Sequence, residues 1–176
     1  MYLAIIKTDG DIVETGLGGG STRQLNEYAI STKRKLISYE TSKEYSDMFS
    51  DTINKYHDIR LISPTEWVKC REENPSCSVI LIDHSPGELR KETCRMFADT
   101  NAILVLHDAQ PKPNAGDYQF ETIYPLFKYK VRFQPAFDKT NNDYPAGAVA
   151  LSNKYDMSDW IGLEFLGTKI TDINTF

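Results

Sequence analysis

Residues able to do chemistry stand where five apolar runs stop. They are Glu14 with Gly16, Gly18 and Gly20, then Glu40, then Ser63, then Asp83-His84, and last His107-Asp108. A strand that turns into a helix through glycines brings bare backbone N–H groups, and the positive helix end, up to a ligand. The acidic Glu14 just ahead of the glycines argues against a phosphate there. It suits a cationic or hydroxyl-rich ligand. Asp83 and Asp108 are hard oxygen ligands suited to Mg²⁺ or Mn²⁺. His84 or His107 instead offers a general base, with a neighbouring aspartate orienting the ring.

The elements that must position these residues follow from periodicity. Apolar strand-like runs at 12–15, 35–40, 59–63, 79–83 and 102–107 alternate with amphipathic helices, the signature of a parallel α/β sheet. Capping boxes open three of the helices: Ser21-Thr-Arg-Gln24, Thr41-Ser-Lys-Glu44 and Ser85-Pro86-Gly-Glu88, the last with proline at the first helical position. Tyr45, Met48, Phe49, Ile53 and Tyr56 predict one long core-facing helix stripe, with His57 at its end; Leu89, Met96 and Phe97 predict another. Beyond 107 come a proline- and glycine-bearing loop, a short helix around 120–127, and two β-rich runs at 130–137 and 147–153. With no helix between them these two form an antiparallel pair. The plan is five βα units closed by a hairpin, in one domain over 1–176. In such sheets ligands sit beyond the carboxyl ends of the strands, so all five chemical positions share one rim.

The ligand can be narrowed. The dinucleotide fingerprint G-x-G-x-x-G requires glycine at position 21, where this chain has Ser21. Glu40, ending the second strand, can accept hydrogen bonds from both ribose hydroxyls. An acid, a glycine loop and a second acid fit a nucleoside without a pyrophosphate, and S-adenosylmethionine is the common one.

On Val13-Glu14-Thr-Gly16-Leu-Gly18-Gly-Gly20, Ile37-Ser-Tyr-Glu40 and the terminal hairpin, the chain resembles the class I S-adenosylmethionine-dependent methyltransferases over residues 10 to 153. The resemblance implies an α/β, Rossmann-like, seven-stranded and mostly parallel sheet of order 3-2-1-4-5-7-6. Strand 7 is then antiparallel and helices cover both faces. It implies a cofactor site of Glu14, Thr15, Gly16, Gly18, Ser21, Thr22, Glu40 and Asp83. Gly16 and Gly18 would let the backbone pass the methionine moiety, Glu40 would hold the ribose, and Ser63 to Trp67 would lie near the adenine, with Trp67 able to stack on it.

Val79-Ile-Leu-Ile-Asp83-His84-Ser-Pro-Gly-Glu88 with Leu104-Val-Leu-His107-Asp108 looks like small-molecule and sugar O-methyltransferases. A sugar hydroxyl is a poor nucleophile and needs a base or a metal at the point of attack. Asp83, His84, His107 and Asp108 are therefore the expected catalytic group, with Asp83 and Asp108 the expected metal ligands. Metal-dependent members usually add a third oxygen ligand after the fifth strand's aspartate, and here that residue is Ala109. Aromatic residues follow from Tyr118 to Tyr129, where acceptors bind in this fold, and Gln110 and Tyr118 are the expected contacts to a sugar or glycan. A likeness to methyltransferases encoded by large algal viruses suggests a domain of a longer glycan-building protein, or a subunit of a homodimer.

Composition sets outer bounds. A net charge of −5 argues against a nucleic-acid partner. The basic Lys33-Arg34-Lys35 reads as a solvated helix end. No run reaches the ~18 apolar residues of a membrane span. Three cysteines without C-x-x-C spacing fit reduced, cytoplasmic thiols. The competing readings are a silent S-adenosylmethionine-binding module and a methyltransferase acting on protein or another small molecule. A nicotinamide oxidoreductase is disfavoured by Ser21.

Overall fold

The computed structural model describes all residues except 110–117, 136–145, 166 and 174–176. Five strands, β1 (Ile12–Thr15), β2 (Leu36–Glu40), β3 (His57–Leu61), β4 (Val79–Ile82) and β5 (Ile103–His107), pair in parallel. Between them run α2 (Thr22–Thr32), α3 (Lys43–Asp47), α4 (Val68–Glu73) and α5 (Arg90–Met96), with a short α1 (Tyr2–Ile6) ahead of β1. Then β6 (Tyr129–Pro135) and β7 (Ala148–Ser152) form an antiparallel hairpin, and β7 inserts beside β5, also antiparallel.

The expected 3-2-1-4-5-7-6 order is present, but the described sheet holds nine strands rather than seven. A second hairpin, β8 (Glu164–Phe165) and β9 (Thr168–Asp172), extends it in the order β3-β2-β1-β4-β5-β7-β6-β9-β8. The sequence plan stopped short of this hairpin because β9 buries only Ile170 deeply, too little alternation to register as a strand. Among the described residues no helix is long and apolar enough to cross a membrane.

Successive strand residues serve two separate cores, as the pleat requires. Val13, Ile80, Ile82, Leu104 and Leu106 pack with Cys70, Cys94, Phe97, Phe120 and Phe127. Ile12, Val79, Leu81, Ile103 and Val105 pack with Ile5, Leu25, Ala29, Met157 and Trp160.

The long helix expected after β2 does not form. Helix α3 ends at Asp47 and a single 3₁₀ turn, Ser50–Thr52, follows. Of the predicted stripe only Phe49 is buried, while Met48 and Ile53 are more than half exposed. Hydroxyls break the helix: Ser50 Oγ donates to Asp47 O at 2.8 Å and Thr52 Oγ1 to Phe49 O at 2.7 Å, competing with the main-chain ladder. His57 consequently opens β3 and is buried.

The caps also differ from expectation. Ser42, not Thr41, caps α3 through its hydroxyl, and Pro86 precedes a 3₁₀ turn rather than starting α5. Arg34 is no solvated helix end. It is buried, with Nε donating to Gly10 O at 2.6 Å and Nη1 to Ile5 O at 2.8 Å, which ties α1 to the sheet.

One contact joins the strand ends that matter. Gly16 has φ +85°, and a Cβ added there would lie 2.6 Å from His84 Cα and 2.7 Å from Asp83 O. Backbone blocks backbone, so neither side can yield cheaply. Gly16→Ala is expected to lower unfolding stability by at least about 2 kcal/mol in thermal or urea denaturation. Gly20→Ala, where an added Cβ meets nothing within 4 Å, is the control and should stay within about 0.5 kcal/mol of wild type.

Candidate active site

The glycine loop is built from beneath by Glu14. This carboxylate is fully buried. Its Oε1 accepts from Ser21 Oγ at 2.7 Å and Thr22 Oγ1 at 3.0 Å, and its Oε2 from Ser38 Oγ at 2.7 Å. Thr22 Oγ1 in turn accepts from Gly18 N at 2.9 Å, and Ser38 Oγ lies 2.9 Å from His57 Nε2. Glu14, Ser21 and Thr22 therefore shape the loop from behind, and Ser21 caps α2 without its hydroxyl because that hydroxyl serves Glu14. Thr15 is buried too, donating to Leu81 O at 3.2 Å. Glu40 stands on the other side of the loop. It accepts from Leu17 N at 3.1 Å, Thr41 N at 2.6 Å and Ser42 N at 2.9 Å, so its position is fixed from three directions.

Burial raises the Glu14 carboxyl from 4.5 to about 7, against the pull of its three hydroxyl donors. The folded chain therefore holds this proton over a range where the unfolded chain has released it. The resulting stabilisation is complete below pH 4.5 and is lost as pH rises to about 7. Its size is on the order of 3 kcal/mol. In urea titrations across this window, wild type should lose stability relative to Glu14→Gln by that order; parallel curves would contradict the burial effect.

The second centre lies at the ends of β4 and β5. Their register sets Ile82 opposite Leu106, which carries Asp83 and His107 to one level. His107 Nδ1 lies 3.1 Å from Asp108 Oδ1 and 3.3 Å from Asp83 Oδ1. Both are ion-pair distances for a protonated ring. Asp108 adopts φ +56°, a left-handed backbone that aspartate tolerates better than most residues. Contact first with Asp108 and then with Asp83 pushes His107 up to about 10, and His107 holds Asp108 down at about 2. The two carboxylates thus favour the imidazolium form of His107, in which the ring is a donor rather than a base.

Sequence reasoning missed the residue that assembles this group. Arg90, 7% exposed, pairs Nη2 with Asp83 Oδ1 at 3.1 Å and Nη1 with Asp108 Oδ2 at 3.0 Å. Its Nε donates to His84 O at 2.7 Å. One sequence signal pointed to it: a cation in the first turn of a helix opposes the helix dipole, and Arg90 opens α5.

His84 does not join the group. It is fully buried, its ring stacked on Trp67 with centroids 3.9 Å apart, and its Nε2 lies 2.9 Å from Thr93 Oγ1. Burial and Arg90 lower it to about 3, so it stays neutral and out of reach of a substrate. The same stack covers Trp67, which is 4% exposed and has no open face for an adenine in this state. Ser63 sits in an exposed turn past β3, its N–H donating to Glu66 Oε2 at 2.9 Å. Tyr118 packs its ring over the Arg90 guanidinium, centroid 5.2 Å away, and against Gly87. Gln110 lies outside the described residues.

The two centres face the same space. A cavity of about 530 Å³ is lined by Gly18, Gly19, Gly20 and Gln24 on one side and by Asp83 and His107 on the other. Leu81, Val105 and Ala148 form its floor. This is the size of a small-molecule site.

No protein-family model matches the chain, and no curated protein matches its sequence. Solved structures do. An O-methyltransferase from Bacillus cereus in complex with SAH matches with TM-score 0.64 at 16% identity, covering 86% of this chain and 77% of that one. TomG, an O-methyltransferase of tomaymycin synthesis from Streptomyces achromogenes in complex with SAM, matches with TM-score 0.64 at 13% identity, over 86% and 76%. This is the S-adenosylmethionine-dependent methyltransferase fold. The fold is not confined to methyl transfer: spermidine synthase from Thermotoga maritima matches with TM-score 0.60 at 14% identity, over 89% of this chain and 57% of that one.

Within a methyltransferase fold the Asp83 group invites a metal. Asp83, His107 and Asp108 each offer one donor atom, all within 4.8 Å of one another. The donor types suit a divalent ion, but the charges around them do not. The Arg90 guanidinium already pairs with both carboxylates from the buried side. A dication 4 Å from that guanidinium would be repelled by roughly 8 kcal/mol at an effective dielectric of about 20. The residues do not fit a resident metal, contrary to the expectation for Asp83 and Asp108.

Proposed function

We propose that the chain transfers a methyl group from S-adenosylmethionine to a hydroxyl oxygen, on a sugar or related polyol. The observation that carries this reading is the single cavity shared by the glycine loop and the Asp83–His107 wall. The loop and Glu40 would hold the nucleoside. Asp83, at the cavity edge, would face the sulfonium.

Displacement at the methyl carbon asks chiefly for alignment of oxygen, methyl and sulfur. As the new O–C bond forms, the attacking hydroxyl becomes strongly acidic, so a carboxylate suffices to take its proton. Asp83 is suited to that role. Its Oδ1 meets Arg90 and His107, while its Oδ2 makes no hydrogen bond among the described residues. His107, 43% exposed and protonated, supplies a donor to a second acceptor oxygen. A donor beside an acceptor matches vicinal hydroxyls, which supports a polyol over an isolated alcohol. Phe120 and Phe127 are buried in the core and offer no face to a sugar.

The test is methyl transfer from radiolabelled S-adenosylmethionine to a panel of sugars, polyols and phenols. Asp83→Asn should lower turnover by ~10²-fold or more while leaving donor affinity within a few-fold. Donor binding without turnover on any acceptor would instead indicate a silent binding module.

A further inference from the structure

We propose that Arg90 is the built-in cation of this active site: its guanidinium holds Asp83 and Asp108 in register and shuts a divalent ion out of the group they form with His107. The inference rests on the site assigned above and concerns how that site is kept assembled.

The geometry is that of a clamp closed from within. Arg90 is 7% exposed while the two carboxylates it pairs with are 25% and 29% exposed, so the cation lies deeper than both, and Asp83 lines the cavity. Its two terminal nitrogens divide between the acids, Nη2 to Asp83 Oδ1 and Nη1 to Asp108 Oδ2. The remaining donors fix the backbone on which those acids stand. Nη2 also donates to Asp83 O at 3.1 Å, Nη1 to His107 O at 3.5 Å, and Nε to His84 O at 2.7 Å.

Tyr118 locks the fork from its other side, and the Tyr118 ring itself lies where a side chain at Gly87 would be. A planar guanidinium can address two strand ends at once. A lysine ammonium, a single point charge, cannot span both with the same geometry. Two neighbouring carboxylates without this cation would be a ready site for a dication, with His107 as the third donor. With it, that position is already compensated.

Manganese binding, followed by the loss of free Mn²⁺ electron-paramagnetic-resonance signal, reads this directly and needs no knowledge of the acceptor. Wild type should bind no Mn²⁺ at this site with a Kd below about 1 mM. Arg90→Lys keeps a positive charge and should likewise bind none. Arg90→Gln should gain one site at least tenfold tighter than wild type, and Arg90→Gln/Asp108→Asn should lose it. A merely structural arginine would lower stability in Arg90→Gln without creating a metal site. Tight Mn²⁺ binding by wild type that is abolished by Asp108→Asn would overturn the proposal, as would a folded Arg90→Gln with no gained site. Should Arg90→Gln fail to fold by circular dichroism, the wild-type and Arg90→Lys titrations decide: binding by either overturns the proposal, and silence in both supports it. Absence of methyl transfer alongside these metal results would count against the proposed function and leave the role of Arg90 standing.

Discussion

The approach of Gly16 to the backbone of Asp83 and His84 is the constraint on which the site depends. Parallel strands β1 and β4 end at one level, and the chain leaving β1 must turn away across the end of β4 with no space for a side chain. The turn lifts the glycine loop over the sheet edge and in the same step sets Asp83 beneath it. Because β4 is in turn registered on β5, His107 and Asp108 arrive beside Asp83 without any further device. Sheet register and one positive φ thus bring the glycine loop and the Asp83–His107 wall together.

The two acidic centres on this rim are handled in opposite ways. Glu14 is denied solvent and surrounded by neutral hydroxyls, so its proton is retained toward neutrality and it works as a hydrogen-bond hub for the loop. Asp83 and Asp108 stay partly exposed and pair instead with the buried Arg90 and the half-buried His107. Two carboxylates with oxygens within 4.8 Å of one another would repel strongly without such partners. Removing the Arg90 fork leaves that repulsion to His107 alone, which explains why so much of the local backbone is also tied to the same guanidinium.

How far the sequence reads depends on the range of the interaction in question. The parallel strands are written in local apolar runs and are found within a residue of where they are expected, except β3, which lies two residues earlier; their order comes from the family resemblance. The helix after β2 fails because its apolar spacing is real but serine and threonine hydroxyls draw its backbone out of the helical ladder. Asp83, His107 and Asp108 converge because strand ends are addressable from sequence. His84, adjacent to Asp83, goes the other way because successive residues leaving a strand point to opposite faces, and the stack with Trp67 takes it inward. Arg90 is illegible for another reason. It joins the ends of β4 and β5, and the one local hint, a cation opening α5, does not say which acids it reaches. The last hairpin is missed because β8 has only two residues and β9 buries only Ile170 deeply, which leaves almost no periodic signal.

The most direct measurement of the central claim is calorimetric titration with S-adenosylhomocysteine in the presence of EDTA, on wild type and on Glu40→Gln. The account predicts a single site with a Kd in the range of about 1 to 100 μM for wild type, unaffected by the chelator and weakened at least tenfold in Glu40→Gln. No binding up to about 1 mM, or binding that vanishes with EDTA, would contradict it.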